Sequence, residues 1–279
     1  MTNIEHDYIN LVSDCLRAPD KKDRTGTGTR SLFGCTIRHD MELGFPLLHG
    51  KKVFYKKAIH ELLWILNGRT DMKYLRDNGV NYWDADYERS GRTDGTLGPV
   101  YGKQWRDFNG HDQLLNVVET IKHNPSSRRI ILSAWAPHEM DDMVLPPCHY
   151  GFQVYINNGK LSLMWQQRSA DVFLGLPYDI VMYGLLLEML AKGAGLKPGE
   201  LIGQLGDCHL YNNHIVQAVE YLYRERNLFE LPKLKLKKGI YKPERPHYPA
   251  DLVIPTYDDI KITNYNPQPA ISAPLSVGK

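Results

Sequence analysis

Residues 148–191 constrain this chain most. Cys148–Ile156 and Lys160–Ser169 are apolar or alternate as strands do, and Asn157-Asn158-Gly159 between them is a hairpin turn signal. The tight turn Gly175-Leu176-Pro177-Tyr178 then leads into an apolar helical run over Ile180–Lys192. A helix apolar on nearly every side must be buried, so it has to cover a sheet. The order strand, strand, helix, without strict βαβ alternation, predicts an α+β fold: a large mixed β-sheet with flanking helices.

The flanking segments fit that scheme. Helical spacing marks Asn3–Leu16, Lys52–Leu66, Leu114–His123 and Asn213–Arg224. Strand patterns mark Ser31–His39, Arg129–Trp135 and Leu201–Leu210. Lys21–Arg30 and Gly91–Trp105 read as loops, and the last fifty residues as short strands among Pro, Tyr and Lys. No repeat or low-complexity linker divides the chain, so 1–279 is expected to be one domain.

Composition excludes several classes. The chain is 42% hydrophobic and 24% charged, ordinary for a globular protein, and its formal charge of +2 gives no reason for general nucleic-acid binding. The four cysteines (Cys15, Cys35, Cys148, Cys208) form no CxxC pair and fit no zinc spacing, so no metal is expected. The polar N-terminus is no signal peptide, and the best apolar run contains Glu188, too short for a membrane span of about 18 residues. A cytoplasmic setting with free thiols is the expectation.

Several residues can carry chemistry. Asp179 stands where an apolar helix begins, which suits an N-cap as well as a functional acid. Cys148 follows two prolines: it is either a buried structural thiol or a nucleophile, which would need a lowered pKa. Arg24, Arg128, Arg129 and Arg168 stand at strand ends or in loops, where guanidinium groups grip phosphate or are simply solvated; Ser169 adds a hydroxyl. Gly26 and Gly28 read equally as a phosphate cradle or a plain turn. His209 and Tyr211 share a strand face, and Glu61 interrupts an apolar helix face, being either wet or functional.

Together these pieces resemble the thymidylate synthase family. The matching segments are DRTGTGT, IHELLW, LGPVYGKQW, SRRI, PPCH, QRSADVFLGLP and HLY, in the family's order, from about Asp23 to Leu275. The resemblance implies that Cys148 attacks C6 of a pyrimidine nucleotide, whose C5 then takes the one-carbon unit of 5,10-methylenetetrahydrofolate. It implies that Glu61 helps activate the folate, that Tyr101 assists removal of the C5 proton, and that His149 supports the site. Arg24, Gln167, Arg168 and Ser169 fall to the nucleotide, His209 and Tyr211 to its 3′-hydroxyl. Arg128 and Arg129 are implied to reach the other subunit's site in a homodimer. Lys51, Tyr82, Trp83, Leu145, Asp171, Gly175, Tyr178 and Leu275 fall to the folate side, Asp171 as the pterin-binding carboxylate.

One departure bears on the substrate. The family's synthases normally carry Asn where this chain has Asp179. An amide matches uracil N3–H and O4; a carboxyl that can be protonated matches cytosine, donating to N3 and accepting from the 4-amino group. The expectation is therefore a deoxycytidylate enzyme making 5-methyl-dCMP. The alternatives are a hydroxymethylase, an ordinary synthase acting on dUMP, and, in a different class, an inactive nucleotide- or RNA-binding regulator. Tyr82 replaces a common apolar residue, where its hydroxyl could seat a water. His49-Gly50-Lys51 replaces Thr-Thr-Lys, and Gly278 and Lys279 extend the tail.

Overall fold

In the computed structural model, which describes residues 3–224, 230–244 and 251–276, Asn158 and Gly159 both take positive φ (48° and 72°) and close a tight hairpin with Asn157 facing Lys160. The hairpin joins β4 (His149–Asn157) to β5 (Lys160–Asp171). In chain order the other elements are α1 (Ile4–Arg17), β1 (Asp20–Lys21), β2 (Thr29–Asp40), α2 (Tyr55–Leu66), α3 (Met72–Asp77), α4 (Asp84–Ser90), α5 (Tyr101–Arg106), α6 (Gln113–His123) and β3 (Ile131–Ser133). After β5 come α7 (Leu176–Gly193), β6 (Lys197–Tyr211), α8 (Ile215–Tyr223), β7 (Lys233–Leu236) and β8 (Ile260–Thr263).

Among the described residues six strands form one sheet in the order β1-β2-β6-β5-β4-β3, and β7 pairs with β8 separately. Only the β5–β6 pair of the large sheet is parallel, and α7 is its crossover. The expected mixed α+β architecture is what the chain forms. Some boundaries shift, β6 for one beginning at Lys197 rather than Leu201. The loop read over Gly91–Trp105 contains the start of α5, and α7 begins four residues earlier than its apolar run, because Pro177 is tolerated in a first turn.

The core lies between the sheet and α7. Leu161, Leu163 and Trp165 of β5 alternate inward, and Ile180, Leu186 and Leu187 of α7 are fully buried. Trp165 stacks flat on Tyr183 (5.3 Å, 5°). Gly203 makes room for it: a Cβ there would stand 2.5 Å from the indole. Elsewhere on the sheet Phe33 is 89% and Tyr155 65% exposed, and Ile131 and Tyr150 are exposed strand residues, with Trp135 exposed just after β3. Phe33, Tyr150, Gln166, Arg168 and Gln204 line one open groove there. Apolar exposure on this scale marks an interaction face.

Candidate active site

The first turn of α7 carries Asp179 without using it as a cap. Among the described residues no side chain caps this helix, whose N-cap position is Gly175. The carboxyl turns instead toward β5, where Gln167 Nε2 donates to Oδ2 at 2.8 Å. The orientation of that amide is fixed. Gln167 Oε1 accepts from the Trp165 indole at 3.1 Å, and an indole N–H can only donate. Oδ2 is therefore an acceptor, which leaves Oδ1 for a proton. Burial pushes the Asp179 acid up to about 7, Gln167 opposes this, and Glu61 and Asp171 add to it.

Cys148 stands one residue before β4. Its N–H donates to the Tyr101 hydroxyl at 2.9 Å, so α5 holds the backbone of the thiol. Tyr101 stacks on His149 (4.3 Å, 23°), and His149 Nδ1 lies 2.9 Å from the Tyr183 hydroxyl. Burial pushes His149 down to about 3, so the ring is neutral. Arg168 donates to the carbonyls of Pro147 (2.9 Å) and Pro146 (2.8 Å) and lies 3.9 Å from Cys148 Sγ. This cation does not suffice to make a thiolate. Burial pushes Cys148 up to about 11, outweighing Arg168 and Arg24, with Asp179 adding to the rise. Within the single chain, desolvation of the charge wins over attraction, so the lowered pKa that a nucleophile would need is not supplied by these two arginines.

Glu61 is a buried acid, not a wet one. Trp83 Nε1 donates to Oε1 at 2.7 Å, and the Tyr82 hydroxyl donates to Oε2. Burial raises Glu61 above the usual carboxylate range, while both donors pull it down. Tyr82 thus gives its hydroxyl hydrogen to Glu61, and its oxygen can still accept from a water. Trp83 also meets Tyr101 edge-on at 6.2 Å, which brings Glu61, Tyr101 and Cys148 into one wall.

The remaining candidates separate. Asp23 accepts from the N–H of Thr25 (3.2 Å) and of Gly28 (2.9 Å), with Gly26 and Gly28 both at φ 79°. The Gly-rich segment is thus a turn closed on its own carboxylate, and it leaves Arg24 exposed. Ser169 lies half-buried on β5. His209 and Tyr211 meet edge-on at 5.0 Å. Asp171 Oδ1 accepts from Phe173 N–H (3.0 Å) and Leu174 N–H (3.1 Å), shaping the turn into α7. A Cβ on Gly175 would lie 3.4–3.5 Å from Asp171. Tyr178 meets Tyr82 edge-on at 5.9 Å, and Leu145 packs half-buried against the core. Arg128 and Arg129 are exposed, and among the described residues neither guanidinium has a partner. Lys51, implied for the folate side, turns inward. It is buried, donates to the Phe173 carbonyl, lies 3.7 Å over the Phe173 ring and is pushed down to about 8 by burial.

Three residues escaped the sequence reading. Tyr183 is four residues after Asp179, hence on its helix face. His214 Nε2 holds the Pro274 carbonyl at 2.7 Å, and Asn213 Nδ2 donates to Ser276 at 3.1 Å. These two tether the tail that carries Leu275, itself 51% exposed. Gly278 and Lys279 lie outside the described residues.

The family model described as thymidylate synthase matches residues 6–277. The chain belongs to the thymidylate synthase family. It is 46% identical to the thymidylate synthase of Mycoplasma mobile over 296 aligned positions, covering 97% of this chain and 99% of that protein. Thymidylate synthases are folate-dependent pyrimidine C5-methyltransferases and work as homodimers on a pyrimidine monophosphate. They use methylenetetrahydrofolate as cosubstrate and no metal; among the described residues no group of three or more His, Cys, Asp or Glu is gathered as ligands would be. Of the residues implied for the folate, Trp83 is buried, Leu145, Tyr178 and Asp171 are half-buried, and Gly175 carries no side chain, a set whose chemistry fits a flat ring. No described helix is long and apolar enough to cross a membrane.

Proposed function

We propose that this chain transfers a one-carbon unit from methylenetetrahydrofolate to C5 of deoxycytidylate, giving 5-methyl-dCMP. The observation that carries this reading is Asp179: a carboxyl at about 7, with Oδ2 tied to Gln167 as an acceptor and Oδ1 left to hold a proton. Cytosine asks for that pattern, a donor toward N3 and an acceptor for the 4-amino group.

In this mechanism Cys148 Sγ bonds to C6, and the electron pair of the C5–C6 bond moves toward C5 and the ring. Charge growing toward N3 is met by the Asp179 proton. Arg24, Arg168 and Ser169 hold the phosphate from the same chain. Arg128 and Arg129 reach the site of the other subunit, in keeping with their exposed guanidinium groups and the uncovered apolar sheet. Their added cations favour the thiolate that one chain alone does not stabilise. His209 and Tyr211 meet the sugar hydroxyl. The folate, held by Trp83, Leu145, Asp171, Gly175 and Tyr178, supplies the carbon and the reducing electrons. Tyr101 serves proton removal from C5, and Glu61 manages protons beside the folate. Lys51 and Leu275 act at the folate tail.

A second reading keeps the same machinery on dUMP, supported by the name of the Mycoplasma mobile relative. A third replaces hydride by water and yields 5-hydroxymethyl-dCMP. The Tyr82 hydroxyl beside Glu61 favours that outcome, and the buried Trp83 wall favours methyl. Mass spectrometry of products from dCMP and dUMP with methylenetetrahydrofolate separates all three. A protein that releases no tritium from C5 of either nucleotide is no enzyme of this kind but a binding regulator.

A further inference from the structure

Tyr82 lies in the turn between α3 and α4, yet its hydroxyl reaches across to α2 and donates to Glu61 Oε2. Trp83 donates to Oε1 at 2.7 Å. Both oxygens of one carboxyl are thus met by donors, and a donor on each oxygen stabilises the ionised form more than the neutral one. Such a pair of donors favours the ionised acid against burial, which still holds the carboxyl above its usual range. The groups that oppose ionisation are Asp179 from α7 and Tyr101 from α5, with Cys148 beyond Tyr101, and burial itself. The Tyr82 ring is braced by Tyr178 (5.9 Å, 62°), the neighbour of Asp179. Burial and Glu61 raise the phenol well above its usual range, so it remains a donor at every working pH.

We propose that Tyr82 is a positioning residue that holds Glu61 ionised, as a base on the wall of the site. An ionised Glu61 can take a proton from water or from carbon, whereas a neutral one can only give a proton. With an apolar residue at 82, Trp83 would be the sole donor of the pair and Glu61 would stay neutral to higher pH. The kinetic consequence rests on the transfer reading above; the protonation of Glu61 does not.

Isotope-edited infrared titration of the Glu61 carboxyl tests this, the band being assigned by its loss in Glu61→Gln. Tyr82→Phe removes one oxygen and keeps the ring against Tyr178. The titration midpoint should rise by about one pH unit or more. The acidic limb of kcat should move with it, lowering kcat by up to about 10-fold on the acid side of the wild-type midpoint and less than about two-fold on the alkaline plateau. KM for the nucleotide should stay unchanged. 3-Fluorotyrosine at position 82, a stronger donor that keeps the fold, should move the midpoint the other way. An unmoved midpoint in both proteins overturns the proposal. A midpoint that moves in a protein turning over neither nucleotide leaves Tyr82 in its role and sinks the transfer reading instead.

Discussion

Gln167 donates to Asp179 at 2.8 Å, and the Trp165 indole behind it leaves the amide no other orientation. Polarity therefore runs one way along this row, from tryptophan to glutamine to aspartate. The acid at its end presents one oxygen that accepts and one that can carry a proton. Stacking on Tyr183 fixes the tryptophan, so the polarity is set by the packed core rather than by solvent.

Asp179→Asn should move the preference from dCMP toward dUMP. The amide oxygen would still accept from Gln167, and its NH2 would face O4. The ratio of kcat/KM for the two nucleotides should change by about 10³-fold or more, the scale of a mismatched polar pair in a dry site. A wild type that already prefers dUMP removes Asp179 from base reading.

Asp179 should also set a pH dependence. Burial holds the folded acid at about 7 against an ordinary 3.8. The folded chain then binds this proton more tightly than the unfolded one, so the contribution to stability is whole below about pH 4 and is lost as pH rises through 7. Urea unfolding at pH 5 and pH 8 should show the wild type losing a few kcal/mol relative to Asp179→Asn, as a rough scale. His149 titrates in both proteins and cancels from the comparison. With dCMP, kcat/KM should fall on the alkaline side of about 7.

Cys148→Ala should abolish turnover while nucleotide binding remains measurable by calorimetry. The side chains proposed to hold phosphate and base are untouched by the change. Turnover at the wild-type rate would exclude Cys148 as the nucleophile.

Arg128→Ala and Arg129→Ala proteins should each be inactive, and so should Cys148→Ala. Mixed with Cys148→Ala under subunit exchange, either should regain partial activity, because one of the two sites in a hybrid dimer is intact. Exchange shown by mass spectrometry without any recovery would mean that each subunit builds its site alone.

Removing Gly278 and Lys279 should leave methyl transfer intact or faster, since His214 and Asn213 already hold the tail at Pro274 and Ser276. Oxygen from labelled water in the wild-type product, with no dihydrofolate formed, would identify a hydroxymethylase.

Much of the architecture was legible because hydrophobic period and turn chemistry are local. The Asn158-Gly159 turn and the alternation of β5 needed no tertiary knowledge. The start of α7 was misplaced because Gly175 and Pro177 suggest a turn, while the helix tolerates that proline in its first turn. At the site, residue identity was legible in the motifs and electrostatic state was not. Cys148 stands beside an arginine, but enclosure by protein decides its acidity, and enclosure comes from distant segments. Tyr82 read as a side chain of the folate wall because its contact with Glu61 spans 21 positions. The inward turn of Lys51 over Phe173 was not legible, because sequence does not tell a lysine turned inward from one turned outward.

No backbone group of α7 depends on the Asp179 side chain. The position is thus free to change without weakening the helix, and aspartate and asparagine codons differ by a single first-base substitution. On the reading offered here, the choice of pyrimidine stands one transition away from reversal in a genome, with no companion change demanded. Divergence elsewhere in the chain would then be a poor clock for the change of substrate, and lineages using either base could lie interleaved on one tree.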